Sequence, residues 1–314
     1  MNKNKLINKI MKETYVICGA SGNTGGYIAK KLLEQNKKVR LIGRSKEKLK
    51  KLIDKGAQPF IGDLKDPNFT FSAFDGATTA YILIPPNNLA RDLRKHQNDI
   101  LTPILEAIKK TEIKNVVALS SVGAHLPINS GFILGLHDME EKLKNIEGIN
   151  LLILRCGYLM ENTRTQINLI EKKGIAGSLI LPDIKLPFVA LRDIADIAFK
   201  RLMALDFTKQ EIMEVLGPKD ISYTEVTRIL GKAMNINDLK YNHLGMEEEK
   251  EILIQYGQSD NVADSIIEFE LAINSGEIYG DVKRNPENTT STNFEEFTNE
   301  IMKPFKETHA YYQP

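Results

Sequence analysis

Three glycines near the N-terminus have the spacing of a phosphate-binding turn, in the stretch Gly19-Ala20-Ser21-Gly22-Asn23-Thr24-Gly25. An apolar run precedes them and a helical pattern follows, so glycine would permit the tight turn, the approach of a diphosphate and close helix packing. A diphosphate there would accept hydrogen bonds from N–H groups at the helix N-terminus. We therefore predict a dinucleotide site contacted by Gly19, Ser21, Gly22, Asn23, Thr24 and Gly25.

The second predicted strand ends in a basic residue, in the stretch Leu41-Ile42-Gly43-Arg44-Ser45. Sites for NAD place Asp or Glu there to bind the ribose 2′-hydroxyl. A carboxylate would repel a 2′-phosphate, whereas the Arg44 guanidinium can bind it with paired hydrogen bonds. The sequence therefore favours NADP(H) over NAD(H), although an arginine that merely begins a surface helix would look the same.

Further cofactor contacts are expected where the next strands end. Asp63-Leu64 follows the third strand, where such folds bring a polar and an apolar residue to adenine, and Ile84-Pro85-Pro86 follows the fourth. Two prolines make a stiff turn without free N–H groups, which suits a cofactor channel and would equally well just end a strand. The expected contacts are Asp63, Leu64, Ile84, Pro85 and Ser120.

Short apolar runs alternate with longer helical patterns from residue 14 to residue 155. The predicted strands are residues 15–18, 39–42, 59–61, 80–84, 116–120 and 151–154, and the helical patterns include residues 25–35, 46–55 and 100–110. Mostly continuous apolar strands alternating with helices indicate a parallel sheet covered on both faces. We predict an α/β fold with a doubly wound parallel sheet of the Rossmann type.

The regular alternation of strand and helix patterns ends after Arg155. Residues 184–189 and 214–216 are predicted strands, and residues 193–204 form a helix with Asp193 as its expected N-cap. Ser222 and Glu225 have the spacing of a capping box at the start of another helix. A short helix is expected around residues 294–305. We assign these elements to a small α/β C-terminal lobe, which gives a basic arm at 1–12, a dinucleotide-binding domain at 13–155 and a substrate lobe at 156–314.

Composition excludes several classes of protein. The 314 residues carry 42 Lys and Arg against 41 Asp and Glu, and the lysines are dispersed without aromatic neighbours, so no nucleic-acid partner is expected. No apolar run approaches the ~20 residues of a membrane span, and residues 1–12 lack the apolar core of a signal peptide. With two cysteines no disulfide framework is indicated, and we expect a cytoplasmic protein. The basic arm should be dispensable for the fold, because no acidic residue pairs with its lysines.

Taken together, these motifs resemble one family of proteins. The chain is similar to the NmrA-like branch of the atypical short-chain dehydrogenases/reductases, including its quinone-reductase-like members. The resemblance rests on residues 19–26, Arg44, Asp63-Leu64, Ser120-Ser121, Leu154-Arg155-Cys156-Gly157 with residues 158–162, Asp193-Ile194-Ala195 and Leu216-Gly217-Pro218. It implies NAD(P)H binding and a small substrate lobe, with Ser121, Tyr158 and Asn162 in the substrate pocket.

The catalytic position departs from the pattern of the typical short-chain dehydrogenases. Those enzymes use a Tyr with a Lys four residues later, and this chain has His137 and Glu141 at that spacing. His137 could relay a proton near neutral pH with Glu141 one helical turn away, or it could be an ordinary packing residue. No metal site is expected, because the histidines are scattered without ligand spacing.

Three functions fit these residues. The favoured one is a reductase that moves a hydride from NADPH to a quinone or another small electrophile. Such a reaction depends little on an acidic group of the protein, because the nicotinamide supplies the hydride. The alternative is a non-enzymatic sensor that reports the NADP(H) pool to a protein partner. A sugar-nucleotide epimerase or dehydratase is the weakest, because it depends on the absent tyrosine.

Overall fold

The computed structural model describes the backbone of residues 13–309 and the side chains of residues 13–302, so the basic arm at 1–12 lies outside the described residues. The strands are β1 (Thr14–Ile17), β2 (Lys38–Gly43), β3 (Gln58–Ile61), β4 (Thr79–Ile82), β5 (Asn115–Ser121), β6 (Asn150–Cys156), β7 (Tyr158–Leu159), β8 (Ala176–Ser178), β9 (Lys185–Leu186), β10 (Phe188–Val189), β11 (Gln210–Val215), β12 (Ile221–Ser222) and β13 (Tyr241–His243). The helices are α1 (Asn23–Glu34), α2 (Lys46–Ile53), α3 (Pro67–Phe74), α4 (Leu93–Lys110), α5 (Leu134–Lys144), α6 (Arg164–Lys173), α7 (Leu191–Ala204), α8 (Tyr223–Met234), α9 (Met246–Gln255), α10 (Asp260–Asn274) and α11 (Phe294–His309).

A seven-stranded sheet organises the chain, in the order β11-β6-β5-β4-β1-β2-β3. All its neighbouring strands run parallel, as the register of Val16 on Arg40 in β2 and on Ala80 in β4 illustrates. The chain builds one half outward from β1 through β2 to β3 and then returns to β4 on the other side of β1. The predicted doubly wound sheet is confirmed, and its switch point lies between β1 and β4.

Helices cover both faces of this sheet because successive side chains of each strand point to opposite sides. Val16 on β1 packs into the core beneath α3, α4 and α5, whereas its neighbours Tyr15 and Ile17 pack into the core beneath α1, α2 and α7. Helix α4 begins at Leu93, seven residues before the predicted start, with the Asp92 carboxylate accepting the N–H of Lys95. Among the described residues, none of the helices combines the length and apolar character that a bilayer crossing requires.

The seventh strand comes from the C-terminal half of the chain. Strand β11 pairs in parallel with β6, from Gln210 on Leu151 to Val215 on Cys156, and α7 before it packs against α1. The expected placement of this helix and strand in the C-terminal lobe is therefore wrong. The reason is that β6 still has an unpaired edge after Cys156, and the α7 crossover returns the chain to it.

The lobe core is aromatic and lies beyond the end of the sheet. Phe188 meets Tyr158, Tyr223 and Phe294, with ring centroids 5.0–5.8 Å apart in edge-on arrangements. The predicted strand at 184–189 is two short strands separated by Pro187: β9 pairs with β12 and β10 with β7.

The N-termini of α8 and α7 can be compared with the two capping predictions. The capping box is confirmed, because the Ser222 hydroxyl accepts the Glu225 N–H at 3.3 Å and the Glu225 carboxylate accepts the Ser222 N–H at 3.2 Å. Asp193 is not an N-cap, since α7 already begins at Leu191. Its carboxylate instead accepts the N–H and hydroxyl of Thr292, at 3.1 and 2.8 Å, and ties α7 to the segment before α11.

Two acidic side chains are buried together in the lobe. Glu249 on α9 and Glu270 on α10 are each 5% exposed, and the Oε2 atom of each has no hydrogen-bond partner among the described residues. Burial raises the pKa of both carboxyls, and the charge of Glu249 raises that of Glu270 further. Neither carboxylate is paired with a cation among the described residues, and two like charges so placed oppose each other's ionisation, so we infer that the folded lobe holds a proton there at neutral pH.

Replacing Glu270 by Gln should stabilise the protein at alkaline pH. A carboxyl with a pKa above its unfolded value of about 4.3 binds its proton more tightly in the folded state, so the free energy of unfolding falls as pH rises between the two values. Glutamine cannot ionise, so Glu270→Gln should raise the melting temperature at pH 8 by roughly 3 °C or more, with a smaller difference at pH 5. Thermal unfolding monitored by circular dichroism measures this. Glu251→Gln, at an exposed position on α9, is the control. An unchanged pH slope in Glu270→Gln would refute the interpretation.

Candidate functional site

The loop after β1 leaves the N-terminus of α1 open. Gly19 takes a φ of +62°, and its carbonyl accepts the N–H of Gly22 at 2.9 Å, so the chain turns directly into the helix. No side chain caps α1 and its first turn carries no acidic residue, whereas α2, α3 and α4 are capped by Ser45, Asp66 and Asp92. The first N–H groups of a helix have no intrahelical acceptors. Those of α1 are thus available to an anion at the carboxyl end of the sheet.

The glycines of the loop have different steric roles. A Cβ on Gly25 would lie 2.5 Å from the Gly19 carbonyl oxygen, so only glycine lets the helix approach the loop this closely. A Cβ on Gly22 would meet only that same oxygen, at 3.2 Å, and the residue is exposed. The predicted packing role of Gly25 is confirmed, and the geometry leaves the space over Gly22 for a diphosphate.

The polar residues of the loop divide between surface and interior. Ser21 and Asn23 are exposed beside Gly22, so their side chains can reach a ligand in the crevice. Thr24 is 5% exposed and lies beside the Tyr81 hydroxyl of β4. Its backbone N–H is therefore the group that remains available to a phosphate.

The expected adenosine contacts lie at the ends of β2, β3 and β4. Arg44 is exposed immediately after β2, and Ser45 begins α2 by accepting the Lys48 N–H at 3.4 Å. Asp63 is exposed after β3, with one carboxylate oxygen accepting the Lys65 N–H at 3.0 Å, and Leu64 is buried. Ile84 and Pro85 are half-buried after β4. The parallel topology therefore brings these predicted residues to the same edge as the glycine loop.

Ser120 has a different partner from the predicted one. Its hydroxyl, 2% exposed, donates to Glu140 Oε1 at 2.6 Å instead of facing a crevice. Arg155 on β6 holds the same carboxylate with two bonds, Nε to Oε1 at 2.9 Å and Nη2 to Oε2 at 2.5 Å. The cause is that Glu140 is fully buried, and a buried carboxylate requires donors from every side. Sequence reasoning missed this cluster, because nothing in the local pattern pairs a helix residue with a strand residue.

His137 is held by one of its ring nitrogens. Its Nδ1 lies 2.9 Å from the Ala124 carbonyl oxygen, and a carbonyl only accepts, so Nδ1 carries the hydrogen. In the neutral ring Nε2 is then the nitrogen that can take up a proton. Glu141 is exposed and pairs with Lys144 at 2.9 Å, which together with a smaller contribution from His137 lowers the pKa of Glu141.

The three predicted substrate-pocket residues differ in their burial and in their hydrogen-bond partners. Tyr158 is buried in the aromatic core, with its hydroxyl 2.9 Å from that of Tyr223, and burial raises its pKa well above the usual range. It therefore keeps its proton at neutral pH. Asn162 is exposed in the turn Met160–Thr163, and the Ser121 hydroxyl donates to the Val122 carbonyl at 2.9 Å.

A separate cleft lies at the far edge of the sheet. About 660 Å³ in volume, it follows the outer edge of β11 between Arg155, Arg201 and Lys283 and a facing set of glutamates. Three strands separate β11 from β1, so this cleft is not the glycine-loop crevice. Within residues 13–302, no group of three His, Cys, Asp or Glu side chains is arranged to hold a metal ion.

The doubly wound sheet with an open glycine loop defines a dinucleotide-binding protein, and comparison with known proteins identifies its family. The model of a family described as NAD(P)H-binding matches residues 19–186, and the chain belongs to that family. The match supports the NmrA-like resemblance.

The known relatives and structural neighbours include dehydrogenases and reductases, and the structural neighbours also include sugar-nucleotide epimerases. Agroclavine dehydrogenase of Claviceps fusiformis is 25% identical over 233 residues, which cover 71% of this chain and 74% of the relative. The NADPH-dependent quinone oxidoreductase of Escherichia coli, solved with NADPH, is 19% identical with a TM-score of 0.78, covering 92% of this chain and 99% of its own. The Citrobacter sp. triphenylmethane reductase, solved with NADP(H), is 18% identical with a TM-score of 0.74 and the same coverage. At these identities the structural neighbours show the fold.

Substituting valine at two loop glycines should separate cofactor binding from folding. Gly22→Val should keep its circular dichroism spectrum and lose the NADPH fluorescence enhancement, because the side chain fills the space of the diphosphate. Gly25→Val should lower the melting temperature strongly, since its Cβ would overlap the Gly19 carbonyl.

The matched control is Gly245→Val. Gly245 is also an extended N-cap glycine, of α9, and nothing lies within 4 Å of the position of its Cβ. NADPH binding retained in Gly22→Val would mean that the loop is only a structural turn.

Proposed function

We propose that the protein is an NADPH-dependent reductase that transfers a hydride to a quinone or another small electrophile. The observation that carries the proposal is the uncapped N-terminus of α1, which meets the glycine loop at the carboxyl edge of the sheet. The similarity in fold to an NADPH-dependent quinone oxidoreductase over 92% of the chain supports it. The membership of the NAD(P)H-binding family supports the cofactor class.

The preference for NADP(H) over NAD(H) is argued from Arg44. The residue follows β2 directly, and its exposed guanidinium stands where a carboxylate would bind the ribose of NAD. The Lys46 and Lys48 side chains in the first turn of α2 are also exposed, so positive charge surrounds this corner of the crevice. A 2′-phosphate would be bound there by a planar, paired donor.

In the proposed reaction, the side chains of this protein would bind the cofactor, orient the substrate and protonate the product. When bound, NADPH supplies the hydride from its nicotinamide ring. Reduction of a quinone to a hydroquinone takes up that hydride and one proton. His137 can deliver the proton from Nε2 after taking one up from solvent, while Nδ1 stays on the Ala124 carbonyl. The hydride transfer depends chiefly on orientation, so the missing Tyr–Lys pair is tolerable.

The proposal also includes the type of ligand and the cellular compartment. The substrate is a small molecule, and the protein has no nucleic-acid partner. Cys18 and Cys156 are both buried and unpaired, which suits the reducing cytoplasm where we place the protein.

Arg44→Ala should narrow the preference for NADPH over NADH by at least about tenfold. A hydrogen bond to a charged group contributes roughly 1.5–3 kcal/mol, and this contact exists only with the 2′-phosphate. Calorimetric titration with both cofactors measures the effect. Lys50→Ala is the control, because Lys50 is exposed later on α2 and pairs with Asp54. Equal affinities for NADPH and NADH in the unmutated protein would contradict the assignment.

NADPH oxidation should be measurable with a panel of quinones, and His137→Ala should lower the rate at most about tenfold. General acid catalysis often contributes ~10²-fold or more, but hydride orientation dominates this reaction. His125→Ala, at an exposed histidine, is the control. Complete inactivity across quinones and carbonyls, in protein that binds NADPH, would favour the sensor that acts through a protein partner.

A further inference from the structure

His96 in the first turn of α4 has two donors on the same ring nitrogen. Its Nδ1 lies 3.1 Å from the Lys65 ammonium nitrogen and 3.3 Å from the Asn87 side-chain nitrogen. The Asn87 amide is fixed in this orientation, because its oxygen accepts the Leu89 N–H at 3.1 Å. Both neighbours of Nδ1 therefore donate.

These contacts determine the tautomer of the ring. An ammonium and an amide NH₂ have no lone pair to offer, so Nδ1 of His96 must accept and the hydrogen must reside on Nε2. Burial and then the Lys65 charge lower the pKa of His96, which keeps the ring neutral at pH 7. Opposing contributions come from Asp99, which lies 3.7 Å from the Lys65 ammonium, and from Asp63.

The Nε2–H group has no hydrogen-bond partner among the described residues. His96 is half-buried, and its Nε2 atom is not fully enclosed by the protein. Lys65 follows β3 and Asn87 follows β4, so their contacts place His96 at the carboxyl ends of these two strands, within electrostatic range of Arg44 and Asp63. This is the half of the crevice where the adenosine is expected.

We propose that His96 is an oriented hydrogen-bond donor that binds the adenosine end of the cofactor through Nε2–H, with Lys65 and Asn87 as the positioning residues. The inference rests on the cofactor position proposed above. The acceptor is a lone pair on that end of the cofactor, which either an adenine ring nitrogen or a 2′-phosphate oxygen can supply.

A pair of amide substitutions tests the donor directly. The amide of Gln reaches about as far as Nε2, whereas that of Asn reaches only about as far as Nδ1. His96→Gln should therefore keep the outer donor and bind NADPH within about threefold of the unmutated affinity. His96→Asn keeps only the inner contacts and should weaken binding roughly fivefold to tenfold. Calorimetric titration with NADPH and NADH measures both variants, and His125→Asn is the control.

The two cofactors distinguish the acceptors. Equal weakening for NADPH and NADH in His96→Asn would identify an adenine nitrogen, and weakening confined to NADPH would identify the 2′-phosphate; either result supports the inference. Unchanged affinity in His96→Asn, or equal losses in Asn and Gln variants with lowered melting temperatures, would overturn it and leave the proposed function intact. Failure of the unmutated protein to bind either cofactor would overturn both.

Discussion

Helix α1 lies so close to the loop after β1 that the carbonyl oxygen of Gly19 occupies the place where a side chain on Gly25 would stand. This contact sets the direction in which the first N–H groups of α1 point. Since β1 borders the switch point, the strands on both sides of it end next to this loop. The same edge of the sheet therefore carries Arg44, Asp63 and Ile84, which follow β2, β3 and β4.

The protein buries acidic side chains in two opposite ways. Glu140 lies between Arg155 and Ser120, and its carboxylate accepts two hydrogen bonds from the guanidinium and one from the hydroxyl, which joins α5 to β5 and β6. Removing such a cation would strand a buried charge at a cost of about 3–5 kcal/mol. Glu249 and Glu270 pair with no cation among the described residues, and burial raises the pKa of both carboxyls, which favours their protonated forms. The first arrangement holds the helix that carries His137, whereas the second makes the lobe responsive to pH.

The features that could be predicted from the sequence are those that depend on residues close together in the chain. The glycine spacing, the strands β1 to β6 and the Ser222–Glu225 capping box are each set within a few residues, so they could be read directly. The pairing of β11 with β6 could not, because parallel strands far apart in sequence carry no mark of their partner. The Glu140–Arg155 pair and the donors around His96 could not be predicted for the same reason, because their members belong to different segments and meet only in the folded chain. Asp193 was misassigned because an acidic residue favours the first helical turn as well as the N-cap.

The late arrival of β11 has a consequence for synthesis. Until Val215 has left the ribosome, β6 is an edge strand whose apolar residues Leu151, Leu152 and Ile153 have no neighbour on one side. Such an edge is a template for pairing with other chains. The lobe residues between β7 and β10 must also be made before the edge can close, which lengthens the exposure and slows the final step of folding. The nascent chain therefore exposes an edge that other chains can pair with after its glycine loop is already complete.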